Sequence, residues 1–269
     1  MKIELKDITF AYTEDEMVLD HLSLTLQEGQ MIAILGHNGS GKSTIAKIIM
    51  GLLEPISGNV YIDDVMLTEN NLEAVRSRMG IIFQNPDNQF VGVTVKDDIA
   101  FGLENHQIER SKMIALIDQY AAMVGMSEYL NYNPENLSGG QKQRVTIAGV
   151  MAMETELIIF DESTSMLDPK GTKEINQMIK LVKEQSQKTI ITITHNLEEA
   201  VYADRVIVLN GGKVVLDGTP QSVFKEKAIL EASGLVLMDS IEIIDQLKHQ
   251  NSKQKDELVK ALWELTFKM

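Results

Sequence analysis

Met31-Ile32-Ala33-Ile34-Leu35 runs straight into Gly36-His37-Asn38-Gly39-Ser40-Gly41-Lys42-Ser43-Thr44, and this stretch decides the fold. Five apolar residues without a break are the pattern of a strand covered on both faces, as in parallel sheets flanked by helices. The glycines that follow allow a turn tight enough to point successive N–H groups at one spot. A helix beginning near Lys42 adds the positive end of its dipole there. Gly, four residues, then Gly-Lys-Ser is the phosphate-loop pattern, here between a strand and a helix as that pattern requires. Lys42 is positioned to reach β- and γ-phosphates. Ser43 is positioned to put its hydroxyl on Mg²⁺, a hard cation that takes oxygen ligands. The implied ligand is a nucleoside triphosphate with Mg²⁺.

Working outward, further buried-strand candidates occur at Gly80-Ile81-Ile82-Phe83, Leu157-Ile158-Ile159-Phe160, Thr189-Ile190-Ile191-Thr192-Ile193 and Val206-Ile207-Val208-Leu209. Helix-like segments lie between most of them, which predicts an α/β fold of the P-loop NTPase class with a mostly parallel sheet. Ile3-Glu4-Leu5 and Leu22-Ser23-Leu24-Thr25-Leu26 alternate instead, predicting an N-terminal antiparallel β element. Gly211-Gly212 reads as a hairpin turn before Lys213. From about Thr94 to Met153 the pattern becomes helical, with Met113, Leu116, Ile117 and Tyr120 at spacings of three and four. The expected organisation is a nucleotide-binding domain over positions 1–225, with a helical subdomain at about 86–153. A C-terminal helical extension over 226–269 would follow, striped by Leu258, Leu262 and Leu265.

Composition removes several classes. The 269 residues include no cysteine, so disulfides and thiolate metal sites are absent, which fits a reducing cytosol. Thirty-nine acidic against 25 basic residues give a net charge of −14 and no basic stripe, which argues against nucleic acid as a partner. No apolar run approaches the roughly 18 to 20 residues of a membrane span, and the charged, alternating start is unlike a signal peptide.

Two more motifs carry chemistry. Leu157-Ile158-Ile159-Phe160-Asp161-Glu162 is a buried strand ending in two acids, at the end of the sheet where open α/β folds bind ligands. Asp161 would complete the Mg²⁺ shell through a water. Glu162, on the other side of the strand's pleat, would take a proton from the attacking water. Leu137-Ser138-Gly139-Gly140-Gln141, at a helix start, forms a second anion site of the same physical kind as the first. That pentapeptide, lying between a phosphate loop and an Asp-Glu strand, resembles the signature of the ATP-binding cassette ATPases, and the resemblance covers about Met1 to Phe224.

The resemblance implies further roles. Gln84 matches the glutamine that senses Mg²⁺ and γ-phosphate, and His195 the switch histidine that positions the attacking water. Ser165-Met166-Leu167-Asp168 matches the loop passed across a dimer interface, with Asp168 the contact; Asp168 also reads as an N-cap for the helix after Pro169. Tyr12 matches the aromatic residue that stacks on adenine, with a packed strand tyrosine as its alternative. In this family the P-loop and the signature loop meet only across a head-to-tail dimer. Each site would thus take Lys42, Ser43, Gln84, Asp161, Glu162 and His195 from one subunit and Ser138, Gly139, Gly140 and Gln141 from the other.

Gln84-Asn85-Pro86-Asp87-Asn88-Gln89-Phe90, continuing to Thr94-Val95 and Phe101-Gly102-Leu103-Glu104-Asn105, is similar to the energy-coupling factor transporter ATPases. Gly-His-Asn-Gly in the P-loop and Ser-Met-Leu-Asp after the acids resemble the first of their two paralogous ATPase subunits. That branch implies a heterodimer with a sister ATPase, a membrane-embedded scaffold (T) subunit docking near Gln84 to Asn105, and a substrate-binding S subunit. It also implies a peripheral location at the cytoplasmic face of the cell membrane and uptake of vitamins or other micronutrients. A homodimeric cobalt or nickel importer ATPase is the nearest alternative. A chromosome or ribosome clamp is disfavoured by the single P-loop and the short stretch between Gln84 and Leu137. The C-terminal leucines could add dimer contacts or pack on the core.

Overall fold

In the computed structural model, residues 1–14, 16–248 and 255–267 are described. β1 (Ile3–Ala11) and β2 (Met17–Leu26) pair antiparallel, and β3 (Met31–Leu35) is buried at every position. α1 (Lys42–Ile49) follows the glycine loop directly. β4 (Ser57–Ile62) and β5 (Val65–Met66) join β1 and β2 in a four-stranded antiparallel sheet of order β2-β1-β4-β5. The sequence reading had assigned no strands there. Their turn is Asp63-Asp64, with both residues at positive φ (49° and 66°), a type I′ geometry that short acidic side chains tolerate.

After α2 (Leu72–Arg76), the remaining strands are β6 (Met79–Ile82), β7 (Leu157–Asp161), β8 (Thr189–Thr194), β9 (Arg205–Asn210) and β10 (Lys213–Gly218). They form a second sheet with β3, ordered β10-β9-β3-β8-β7-β6, parallel except for the β9–β10 hairpin. Because alternate side chains of a strand point to opposite faces, β3 feeds two cores. Met31, Ala33 and Leu35 pack toward the helices, whereas Ile32 and Ile34 pack with Ile45, Ile48 and Ile49 of α1 and with the antiparallel sheet. Each buried Ile or Leu contributes about 1.5–3 kcal/mol by removing its side chain from water. The loop at β3 and α1 is therefore anchored between two hydrophobic layers.

Between β6 and β7 lie α3 (Val95–Asn105), α4 (Arg110–Met123) and α5 (Gly139–Ala152). Thr94 caps α3 in a reciprocal box with Asp97, and α4 buries Leu116, Ile117 and Tyr120 as its spacing predicts. α6 (Pro169–Gln185) and the short α7 (Leu197–Ala200) flank β8. Past β10 come α8 (Pro220–Val223), α9 (Lys227–Ala232), α10 (Asp239–Lys248) and α11 (Lys255–Thr266).

On α11 the leucine stripe is not the packing face: Leu258 and Leu265 are exposed and Leu262 only half-buried. The neighbouring Trp263 and Phe267 stack with centroids 5.9 Å apart, and Phe267 stacks on the buried Phe224 at 6.0 Å. Two aromatic rings bury more area than the leucines beside them, so they determine which side faces inward. No described helix is long and apolar enough to cross a membrane.

Candidate functional site

The glycine loop closes on itself by necessity. A Cβ at Gly36 would collide with Ser40 Oγ and Leu209 O, and at Gly41, where φ is +98°, it would stand 2.7 Å from Leu19 Cδ2. Gly41 is also the N-cap of α1; it offers no side-chain bond, and no acid occupies the first turn. The N–H groups there are left to an anion, which the helix dipole favours. Lys42 is buried and donates to Gly36 O (2.9 Å) and His37 O (3.0 Å), so its ammonium is held by the loop it serves. Burial pushes its pKa down, with the charge of Glu162 opposing. Ser40 Oγ is buried with no hydrogen-bond partner among the described residues. Unpaired donors of this kind in a cradle suit phosphate oxygens.

Ser43 Oγ donates to Asp161 Oδ1 at 2.8 Å. Asp161 ends β7, buried, and burial pushes its pKa up against the Ser43 bond. Among the described residues no cluster of three His, Cys, Asp or Glu side chains forms a metal cage. A hydroxyl and one carboxylate instead fit Mg²⁺, which keeps several waters and takes phosphate oxygens.

Glu162 stands one residue past the strand, and the structure corrects how it is aimed. It is not on the pleat of β7; its backbone is left-handed (φ 49°), with its N–H donating to Ile193 O on β8 at 2.9 Å. Such strain in a non-glycine residue concentrates at functional sites. The turn directs Oε1 to 3.6 Å from Lys42 Nζ and 3.9 Å from His195 Nδ1. Gln84 Nε2 donates to Glu162 Oε2 (3.3 Å) and Ser165 Oγ (3.0 Å). Lys42, Ser43, Gln84, Asp161, Glu162 and His195 are thus brought to one place.

Tyr12 lies just beyond β1, its hydroxyl 3.2 Å from Thr44 Oγ1 and its ring edge-on to Phe10. It is 53% exposed, which leaves a π face open beside the loop. His37 Nδ1 lies 2.7 Å from Asn38 O, and Asn38 and Gly39 are exposed at the loop's crest.

The signature residues sit elsewhere. Ser138 caps α5, accepting from Gln141 N, while the Gln141 side chain accepts from Ser138 N. A Cβ at Gly140 would meet nothing within 4 Å. Ser138, Gly139, Gly140 and Gln141 line a cleft of about 480 Å³ together with Met166 and Asp168, and no P-loop residue lines it. Asp168 caps α6, its Oδ1 accepting from Gly171 N at 2.7 Å. Sequence reasoning places Ser165 in the interface loop but not as the anchor of Gln84, and it misses the ion pair of Lys142 with Asp87 (2.5 Å) that ties α5 to the segment after Gln84. Only the spacing of these positions from known motifs could have flagged them.

One chain therefore carries a P-loop site and a separate signature cleft. A family model described as ABC transporter matches residues 19–165. The chain belongs to the ABC transporter ATPases. Its relatives include the energy-coupling factor transporter ATP-binding protein EcfA1 of Bacillus subtilis strain 168, 46% identical over 99% of this chain and 98% of that one. The EcfA1 protein of Mycoplasmopsis synoviae strain 53 is 50% identical over 85% of this chain and 87% of its own. Within the ABC family the chain thus belongs with the energy-coupling factor transporter ATP-binding proteins. Among solved structures, cbiO1 from Clostridium perfringens, part of the ABC transporter complex cbiONQ, has a TM-score of 0.78 at 32% identity, covering 90% of this chain and 98% of that one. A dimeric ATP-binding cassette in a post-hydrolysis state bound to ADP and Pi has a TM-score of 0.73 at 30% identity, over 81% and 98%. As a member of this family, the chain is an ATPase of the P-loop α/β fold.

Proposed function

We propose that this ABC ATPase powers an energy-coupling factor importer for vitamins or other micronutrients, paired with a sister ATPase beneath a membrane-embedded scaffold. A substrate-binding subunit would select the solute. The ATPase would lie peripherally on the cytoplasmic face of the cell membrane. The observation that carries the catalytic reading is Glu162, held in a left-handed turn between Lys42, His195 and Gln84. Lys42 and the free N–H groups of α1 would hold the β- and γ-phosphates, with Tyr12 against the adenine. Bound Mg²⁺, held by Ser43 and Asp161 with Gln84 nearby, would supply charge neutralisation at the γ-phosphate. Glu162 would accept the proton of the attacking water, and His195 would orient that water.

The separation of the signature cleft from the P-loop supports a composite site in which Ser138, Gly139, Gly140 and Gln141 of a partner close over the γ-phosphate, with Asp168 crossing the interface. ATP then links two subunits, and hydrolysis releases them. The test is turnover in the assembled complex: Glu162→Gln should keep ATP binding and lose about 10²- to 10⁴-fold in rate, whereas an unchanged rate would sink this role. A second reading is a cobalt or nickel importer working as a homodimer; the likeness to cbiO1, part of a differently named ABC transporter complex, keeps a branch other than the energy-coupling factor one in play. Co-purification separates them, because a distinct second ATPase is expected only of the first.

A further inference from the structure

Behind the proposed reactive ends of β7 and β8 lies a group of polar contacts that the proposed hydrolysis does not use. Thr164 Oγ1 donates to Glu199 Oε1 at 2.6 Å, and the Thr194 hydroxyl faces the same carboxylate. Thr194 immediately precedes His195. Thr164 lies two residues after Glu162, whose N–H is bound to Ile193 O. Glu199, on α7, thus ties the turn after β7 to the segment that follows β8. Thr164 and Thr194 are both buried.

Glu199 is an expensive residue to place there. Burial pushes its pKa up, and among the described residues no Lys or Arg pairs with it; the facing charges are His195, which lowers its pKa, and Glu162, which raises it. A half-buried carboxylate held by a threonine hydroxyl is poorly explained by stability, because a neutral or apolar side chain would avoid the desolvation cost. A cavity of about 10 Å³, lined by Ser163, Thr192, Asn176 and Glu199, runs beside it, and among the described residues Thr192 Oγ1 has no partner. The Thr164–Glu199 bond therefore adds a directed tie to packing that is incomplete on this side.

We propose that Glu199 is a positioning residue whose carboxylate buckles the turn after β7 to the end of β8, fixing Glu162 and His195 in register for attack on the γ-phosphate. The proposal rests on the roles given above to those two residues. It also adds to the surroundings, with Ile193 and Ser165, that over-determine the left-handed backbone of Glu162. Glu199 touches no reacting atom; its contribution is geometric, and misplacement of about 1 Å can cost about 10²-fold in rate.

The test uses the full chain purified with its co-expressed partners. Glu199→Ala should lower kcat about 10- to 100-fold while KM for ATP and the equilibrium affinity for ATP stay within about two-fold, a split that general loosening of the site would not produce. Glu199→Gln, whose amide oxygen can still accept from Thr164, should recover kcat to within about three-fold of wild type. Thr164→Val, which keeps the shape and removes the donor, should lower kcat in the same direction and serves if Glu199→Ala folds poorly. Undiminished kcat in Glu199→Ala and Thr164→Val overturns the proposal. So does a loss matched by equal loss of ATP affinity, or a Gln variant as slow as the Ala variant. Glu162→Gln run in parallel separates the two levels. Normal turnover there removes the base assignment, whereas slow turnover there with full activity in Glu199→Ala removes only the positioning role.

Discussion

The two helix N-termini built for phosphate, α1 behind the P-loop and α5 behind the signature, differ in how completed they are. At α1 the cap is a left-handed glycine with no side chain to offer, the first turn holds a buried lysine, and the surrounding loop is packed against β2 and β9. At α5 a serine already caps the first turn in a reciprocal box with Gln141, Gly140 faces open space, and the cleft lies exposed. Neither helix carries an acid in its first turn, unlike α3 with Asp97 and Asp98. Both thus welcome an anion, but α1 supplies charge, burial and donors together, whereas α5 supplies a dipole and a surface. On the proposed reading, the first binds nucleotide by itself and the second completes a partner's site.

The largest test of that contrast is Lys42→Ala. It removes the buried ammonium held by Gly36 and His37, and charged partners of this kind are worth roughly 2–5 kcal/mol, so ATP affinity of the isolated chain should fall about 30- to 5,000-fold in a titration. Gly140→Asp is the matching change at α5. There is room for the side chain, and its charge opposes an incoming phosphate at the dipole's positive end. Turnover of the assembled complex should drop about 10-fold or more, while the isolated chain binds ATP as before. If Gly140→Asp weakened ATP binding by the isolated chain, the division of labour would be wrong.

How much of this was legible beforehand depends on whether the signal is local. The five apolar residues of β3, the glycines and Lys42 lie within one short stretch, so strand, loop and helix could be read together. Asp161 was readable for the same reason, as the end of an apolar run. The aim of Glu162 was not, because its left-handed turn is set by Ile193 on a neighbouring strand and by Ser165 folding back on its carbonyl. Pleat alternation, the only local rule available, does not extend to a residue one position past β7. Glu199 was invisible for a like cause: its partners Thr164 and Thr194 are distant or unremarkable in sequence, and only folding brings them to one carboxylate. The inward side of α11 failed differently, since leucine spacing carries no information about whether adjacent aromatic rings find a stacking partner in Phe224.

Ser138→Ala sharpens the comparison at smaller scale. Losing an N-cap costs about 0.5–2 kcal/mol, which for a chain of this size lowers Tm by roughly 1–8 °C. An equivalent cap does not exist at α1, where Gly41 contributes no side-chain bond. Thermal melts of the nucleotide-free protein should register the loss at α5. The turnover of the complex should fall as well if the Ser138 hydroxyl serves a partner's phosphate in addition to its own helix.

The smallest effect, and the one with a sign worth working out, is Asp161→Asn at the finished site. Burial raises the Asp161 pKa in the folded chain, so the fold disfavours its ionised form. Below the ordinary carboxylate pKa, about 3.9, both folded and unfolded chains hold the proton and no penalty arises. As pH rises through the interval up to the folded value, the unfolded chain releases its proton first, and stability declines; above that value the cost is constant. Asp161→Asn removes the charge and keeps an acceptor for Ser43. The nucleotide-free variant should therefore melt above wild type near neutral pH, by roughly 1–4 °C, and the gap should close toward pH 4. Mg-ATP should reverse the order, because the carboxylate that burdens the empty fold is the one that the cation needs. A variant that melts no higher than wild type near neutral pH without nucleotide would mean that Asp161 is already neutralised by Lys42 and Lys47. The α1 site would then be balanced in charge before any ligand arrives.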